Sequence, residues 1–382
     1  MLERLVKIFT SLKLTVVLLG LGLVLVFWGT MAQVHLGLYK AQNEFFRSFF
    51  VYWHPAGADF GIPIFPGGYM LGGLLILNLL AAHTRYYQPG KKKIGIVMIH
   101  LGVVMLLVGQ LLTDVLANES MMHIREGQTK NYSESIRKYE LAVIDTTDPE
   151  LNTVVAIPGH RLARLGEITN TNLPFTIRVK AYYANSSVAQ TNEPGYEEIK
   201  TSAGMGSGFW WRSLPNETRT DRRDMPSGIV ELTAPKGSLG NLFISSFLAR
   251  PQEFTYAGHH YQMTLRPQRY YKPYSLHLIR FRFDRYPGTQ IPKNFSSRVR
   301  LQNVETGEDR EVLIYMNHPL RYDGETLYQA DWDHADEKGT ILQVVRNPSW
   351  LTPYLACVIV AAGLLVQFLT HLFRFATKRR TA

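Results

Sequence analysis

The sequence predicts an α-helical membrane anchor of four spans carrying a large extracytoplasmic, antiparallel β-rich domain. Three observations predict it. There are four long apolar blocks. A basic excess is confined to the segments flanking them. A long polar region follows in which apolar residues alternate with polar ones. The 382 residues are 46% hydrophobic, yet the mean hydropathy is only −0.08, because the chain mixes these two populations.

A span needs roughly 20 apolar residues. The first block is Leu14 to Val34, the second about 67–82, the third Ile94 to about Leu116, and the fourth Trp350 to Phe373. Each must be helical, since lipid offers a backbone no hydrogen-bond partner. The first block is expected to remain in place as a span. Its apolar run exceeds a signal core, it has no convincing small-residue cleavage site, and three more blocks follow.

The net charge of +10 reads as topology. Arg4, Lys7 and Lys13 precede the first block, with Glu3 beside them. Arg85, Lys91, Lys92 and Lys93 separate the second from the third. Arg374, Lys378, Arg379 and Arg380 follow the fourth. The remaining 30 basic and 30 acidic residues cancel. Four spans put all three basic segments on one side, which is the positive-inside pattern. Both termini are therefore expected in the cytoplasm, the polar domain outside, and no nucleic-acid partner is implied.

The organisation follows. Residues 1–117 hold three spans and an outward loop, 35–66, dense in aromatics and expected to lie at the membrane interface. Residues 118–349 form the β-rich domain, and 350–382 the fourth span and basic tail. Within the domain, 173–182 alternates, with Phe175, Ile177, Val179 and Ala181 on one face. Residues 275–286 put Ile279, Phe281 and Phe283 opposite Arg280, Arg282 and Asp284. Shorter strands are expected near 138–144, 228–233, 261–265, 298–304, 311–315, 326–330 and 341–346. The Ser-, Gly-, Asn- and Pro-rich stretch 184–226 reads as a mobile insertion. Residues 239–248 read as a short amphipathic helix.

Several chemistries lack their signatures. The one cysteine, Cys357, allows neither an internal disulfide nor a C-x-x-C dithiol, and reads as a small packing residue of the fourth span. There is no nucleophile elbow, phosphate loop or H-E-x-x-H. His123, His160, His259, His260, His277, His318 and His334 have no spacing that closes a zinc site.

One position stands out. His100 lies in the charge-free run 94–113. A coordinating group inside a bilayer is expensive, so it marks a functional site. It sits roughly 9–10 Å from the cytoplasmic edge, at 1.5 Å per residue. Gly95, Gly102 and Gly109 recur every seven residues, about 200° around the helix from His100. If that small-residue stripe packs on the protein's own helices, His100 faces a cofactor or partner cleft. Gly68 and Gly72 offer the same device in the second span. His35, His83 and His371 read as interfacial residues, so no second histidine is expected at the depth of His100.

Ser11 to Leu19 (SLKLTVVLL), Gly29 to Gln33 (GTMAQ) and Ile99 to Gly102 (IHLG) resemble the ResB/CcsB proteins of cytochrome c biogenesis. So do Tyr286 to Phe295, Met316 to Tyr322, Tyr328 to Ala330 and Val344 to Trp350. The resemblance covers most of the chain and thins at 184–226. It implies four spans, a large extracytoplasmic domain and a haem-ligating histidine in the third span, here His100. It implies a ResC/CcsA-type membrane partner as well, because the tryptophan-rich haem motif of that partner is absent from Trp210, Trp211 and Trp332. Together the pair would deliver haem b to apocytochrome c, with a thioredoxin-like thiol reductase as a further partner. Low-ranked outer haem contacts are His35, His54 and Trp53. No catalytic side chain is expected, and no activity alone: the chain would be a subunit of a cytochrome c synthase in a bacterial inner membrane. Two alternatives stay open: a non-haem scaffold or receptor for apocytochrome or the thiol reductase, and a proton or electron relay through His100.

Overall fold

The computed structural model describes residues 2–55, 60–86, 93–219, 222–289, 291–334 and 336–380. Lys91 and Lys92, invoked above for topology, lie outside the described residues. The chain divides into two compact units. One comprises 1–118, 218–220 and 346–382, and the other 119–217 and 221–345.

The helices are α1 (Leu2–Phe9), α2 (Leu12–Leu36), α3 (Leu38–Ala41), α4 (Gly68–Tyr86), α5 (Ile94–Leu116), α6 (Gly159–Leu162, a single turn in the second unit) and α7 (Thr352–Arg380). Ser11 caps α2 by accepting a hydrogen bond from the Lys13 backbone N–H. Among the described residues three helices are long and apolar enough to cross a membrane: Leu12–Leu36, Ile94–Leu116 and Thr352–Thr377. That is one fewer than the four spans expected. The second block does fold as the helix α4, 19 residues long, but Asn78, His83 and Arg85 dilute its apolar character.

The glycine stripe of α5 packs on α7. A Cβ on Gly102 would lie 2.9 Å from the Ala356 carbonyl oxygen, and one on Gly95 2.8 Å from that of Gly363. One on Gly109 would lie 2.7 Å from the side-chain methyl of Thr352. Small residues thus bring two backbones together where lipid gives no hydrophobic drive for association. Gly68 and Gly72 do not repeat the device: Gly68 abuts the Phe46 backbone and Gly72 meets nothing within 4 Å. Instead Asn78, only 2% exposed, ties α4 to the α1–α2 junction. Its Nδ2 donates to the carbonyls of Phe9 at 2.7 Å and Ser11 at 3.2 Å, and its Oδ1 accepts from the Thr15 hydroxyl at 2.6 Å. At the other end of α5, Asp114 pairs with Arg47 at 2.9 Å and accepts from the Tyr69 hydroxyl at 3.1 Å.

The aromatic loop is folded. A π-helical turn at Gln42–Phe46 leads to a hairpin of Phe50–Trp53 with Ile62–Pro66. Phe45 and Val51 are buried with Leu18, Leu25 and Leu71. Trp28 meets Phe45 and Phe65 edge-on at 5.4 and 5.9 Å.

The second unit is antiparallel β, as the alternation predicts. One ten-stranded sheet follows the path Glu308–Tyr315, Pro292–Asn303, His259–Arg285, Thr129–Asp145, Asn118–Arg125, Gly339–Arg346, Glu325–Trp332, Leu320–Tyr322, with Gln252–Tyr256 and Thr153–Pro158 added at the side. A four-stranded sheet orders Gly237–Ser245, Ser227–Ala234, Thr176–Tyr183 and Gly166–Ile168. Two cores result. Leu141, Val143, Met263 and Leu265 pack with Ile177, Val179, Val230 and Leu242 in the first. Leu276, Leu278, Phe281, Val299, Leu301 and Leu327 pack in the second. The strand His259–Arg285 serves both. Its pairing with Thr129–Asp145 slips between Pro267 and Arg269, where proline supplies no N–H, and again between Tyr271 and Leu276.

Three expectations are corrected. Ile279 does not share the face of Phe281 and Phe283. A bulge between Leu278 and Arg280 shifts the alternation, leaving Ile279 exposed and Leu276 and Leu278 buried. Residues 239–248 are not a helix; Gly237–Ser245 is a strand covered on both faces. Leu242 and Ile244 enter the first core, and Phe243 joins Ile199 and Trp211 on the other side. Residues 184–226, expected as a mobile insertion, carry the strands Ser186–Ala189, Glu197–Glu198 and Trp210–Ser213. Their small sheet is anchored by the buried Ile199 and Trp211.

Candidate functional site

Because α5 gives its glycine face to α7, its opposite face is free, and His100 stands on it. That face, α4 and the start of α2 enclose a cleft of about 650 Å³. This volume lies within the ~300–1,000 Å³ of small-molecule sites. Its walls are apolar: Leu19, Leu75, Leu79, Ile96, Val103 and Leu107. Its polar groups are Thr10, Ser11, Thr15, Asn78, Lys93, His83 and His100. Asn78 is locked by the three hydrogen bonds described above, so this part of the wall is preformed. The His100 ring is half-buried, and its Nδ1 is sealed from solvent without a hydrogen-bond partner among the described residues. An orphaned buried acceptor or donor costs about 1–3 kcal/mol, which a ligand in the cleft would offset.

The structure adds a residue that the sequence reading set aside. His83 of α4 meets His100 with ring centroids 4.9 Å apart and planes at 89°. A second imidazole therefore does stand against His100, although it lies nearer its helix end. The signal was present in the helix ends. His83 is three residues before the end of α4 and His100 six after the start of α5, depths of about 4.5 and 9 Å at 1.5 Å per residue.

The other candidates lie elsewhere. His35, His54 and Trp53 are exposed and none lines the cleft. His371 is exposed and hydrogen-bonds Gln367 at 2.8 Å. Cys357 is exposed on α7 rather than packed inside. In the second unit the histidines have separate partners: His259 with Asp145 at 2.8 Å, His277 with Thr129 at 2.9 Å, His334 with Asp331 at 3.2 Å. Among the described residues no three histidine, cysteine or carboxylate side chains converge as a metal site. The second core holds a buried polar group instead. Glu325 pairs with Lys272 and accepts from the Tyr274 hydroxyl at 2.7 Å. Burial first, and then that bond, pushes the Tyr274 phenol far above its ordinary pKa.

The fold and the cleft define a class: a membrane protein with a large antiparallel β domain and a preformed apolar site among its helices that presents imidazole. Comparison with known proteins narrows it. Residues 240–341 match the family model described as the ResB-like family. Protein NrfI of Wolinella succinogenes is 26% identical over 307 residues, which is 79% of this chain and 30% of NrfI. Cytochrome c biogenesis protein CcsB of Prochlorococcus marinus is 44% identical over 74 residues, 19% of this chain and 16% of that protein. The CcsB of a Synechococcus species is 39% identical over 74 residues, again 19% and 16%. The chain thus spans less than a third of each of these relatives. Its residues 240–341 are similar to the ResB-like family, and the chain is similar to NrfI and to CcsB proteins of cytochrome c biogenesis.

Proposed function

We propose that this chain is a haem-handling subunit of a cytochrome c maturation complex. It acts with a ResC/CcsA-type membrane protein to deliver haem b to apocytochrome c outside the membrane. A thioredoxin-like thiol reductase that keeps the apocytochrome thiols reduced fits the same assembly. The observation that carries this reading is the orphaned imidazole of His100 in an apolar cleft of about 650 Å³. Haem is a flat apolar ring with two carboxylates at one edge, and its iron takes neutral imidazole. Apolar walls and an imidazole support this reading, and Lys93 and Ser11 line the cleft as polar groups for the carboxylate edge. His100 would be the axial ligand. The iron and vinyl groups supply the chemistry of attachment, while this chain binds the cargo and excludes water.

In this reading α4 is a fourth crossing beside α2, α5 and α7. The basic segments then place both termini in the cytoplasm and the β-rich unit on the outer side of a bacterial inner membrane. The basic excess at the membrane flanks supports this orientation.

The test is an absorption spectrum of the chain purified after co-expression with the partner, for wild type and His100→Ala. A Soret band that falls in the variant and returns with added imidazole is expected. Equal haem in both, with cytochrome maturation intact, would overturn the ligand role and favour a scaffold or receptor for the apocytochrome or the thiol reductase.

A further inference from the structure

The two imidazoles of the cleft come from different helices, and nothing above gives His83 a task. We infer that His83 is a second iron ligand of this chain, exchanging with His100 on the same haem. The inference rests on the haem reading of the cleft and extends it.

The argument is geometric. Two imidazoles that hold one iron from opposite faces have their nitrogens two metal–nitrogen bonds apart, about 4 Å, with the rings set back further along one line. The rings here are 4.9 Å apart between centroids, and perpendicular. They are neighbours, placed to take turns rather than to clamp one iron between them. His83 lies nearer the α4–α5 connection and His100 further along the cleft, so exchange moves the ligation point inward. The step balances simply. A lone pair of one imidazole nitrogen replaces that of the other on iron, and no proton or electron is transferred. Cargo that must be released needs an easy ligand exchange. A second ligand already in contact acts at a high effective concentration. A packing role for His83, an edge-to-face contact and nothing more, predicts no ligation.

The two are separated by titrating haemin into the purified full-length chain in detergent. Four forms are compared: wild type, His100→Ala, His83→Ala/His100→Ala and His83→Met/His100→Ala. The inference expects His100→Ala to retain a Soret band with at least ten-fold weaker binding, and the double alanine variant to lose it. The methionine form should bind with a different spectrum, because a thioether replaces imidazole at iron. That last readout is a gain of signal and does not depend on a variant failing. Binding by wild type with none by His100→Ala or the methionine form would overturn the role of His83 and leave the haem reading intact. Binding that is equal in all four would overturn both. Loss only in the double alanine variant, with His100→Ala equal to wild type, would support His83 and overturn the ligand role of His100.

Discussion

A single buried amide organises the cleft. Asn78 donates to the Phe9 and Ser11 carbonyls at the α1–α2 junction, and it accepts from Thr15. It thereby sets α4 against α2 and fixes the wall that carries His83. Asn78→Leu keeps the volume and removes three hydrogen bonds, leaving the Phe9 carbonyl and the Thr15 hydroxyl without their Asn78 partner in an apolar site, while the Ser11 carbonyl keeps the Leu14 and Thr15 N–H groups. A loss of about 1–3 kcal/mol is expected for such groups. It should be read as a lower Tm of the detergent-solubilised protein together with weaker haemin binding; an unchanged Tm would show that α4 is held by other contacts. Residue type had singled out His100, since a histidine in an uncharged apolar run is conspicuous. It had not singled out Asn78 or His83. Their meaning depends on which helix they face, which no local pattern encodes.

Among the elements, α5 divides its two faces by residue size. Glycines at 95, 102 and 109 meet α7, and His100 is left to the cleft. The seven-residue spacing was legible, and so was its consequence for the direction of His100. What the stripe packs against was not, because α7 lies more than two hundred residues away in sequence. Gly102→Leu is expected to separate α5 from α7, since even a Cβ there would press on the Ala356 carbonyl at 2.9 Å. Overpacking of this kind typically costs 1–3 kcal/mol. A disulfide engineered between positions 102 and 356 cannot report on this variant, so faster proteolysis of the α7 segment in detergent is the measurement. Resistance equal to wild type would sink the packing assignment. In the strands, alternation located about half of the described elements of the β-rich unit, missing Asn118–Arg125, Thr153–Pro158 and Gln252–Tyr256 among others, and it misassigned a residue where a bulge or a second covered face intervened. Ile279 and Phe243 are the two instances.

On the scale of the molecule, each unit has its own means of cohesion. The helical unit relies on small residues and a few buried polar ties. The β-rich unit relies on two apolar cores joined by the long strands Thr129–Asp145 and His259–Arg285. The second core encloses the Lys272–Glu325–Tyr274 group, with both charged side chains 7% exposed. Glu325→Gln leaves the Lys272 ammonium buried without its carboxylate. Breaking such a pair costs about 3–5 kcal/mol. Denaturant unfolding should show that loss, with the transition followed through Trp332, which stacks on Phe283 in the same core. An unchanged midpoint would mean that Lys272 reaches water.

The sequence by itself determined the partition into apolar helices and an alternating β region, the basic flanks, and the place of His100 in a charge-free apolar run. These follow from composition and local period, which act within a few residues. Only the tertiary structure decided that α4 is tied to the α1–α2 junction by Asn78 rather than by glycines, that the strands of 186–213 gather around Trp211, and that His83 stands against His100. Those outcomes depend on burial by residues distant in the chain, and burial is what turns a polar side chain from a solvated group into part of a site.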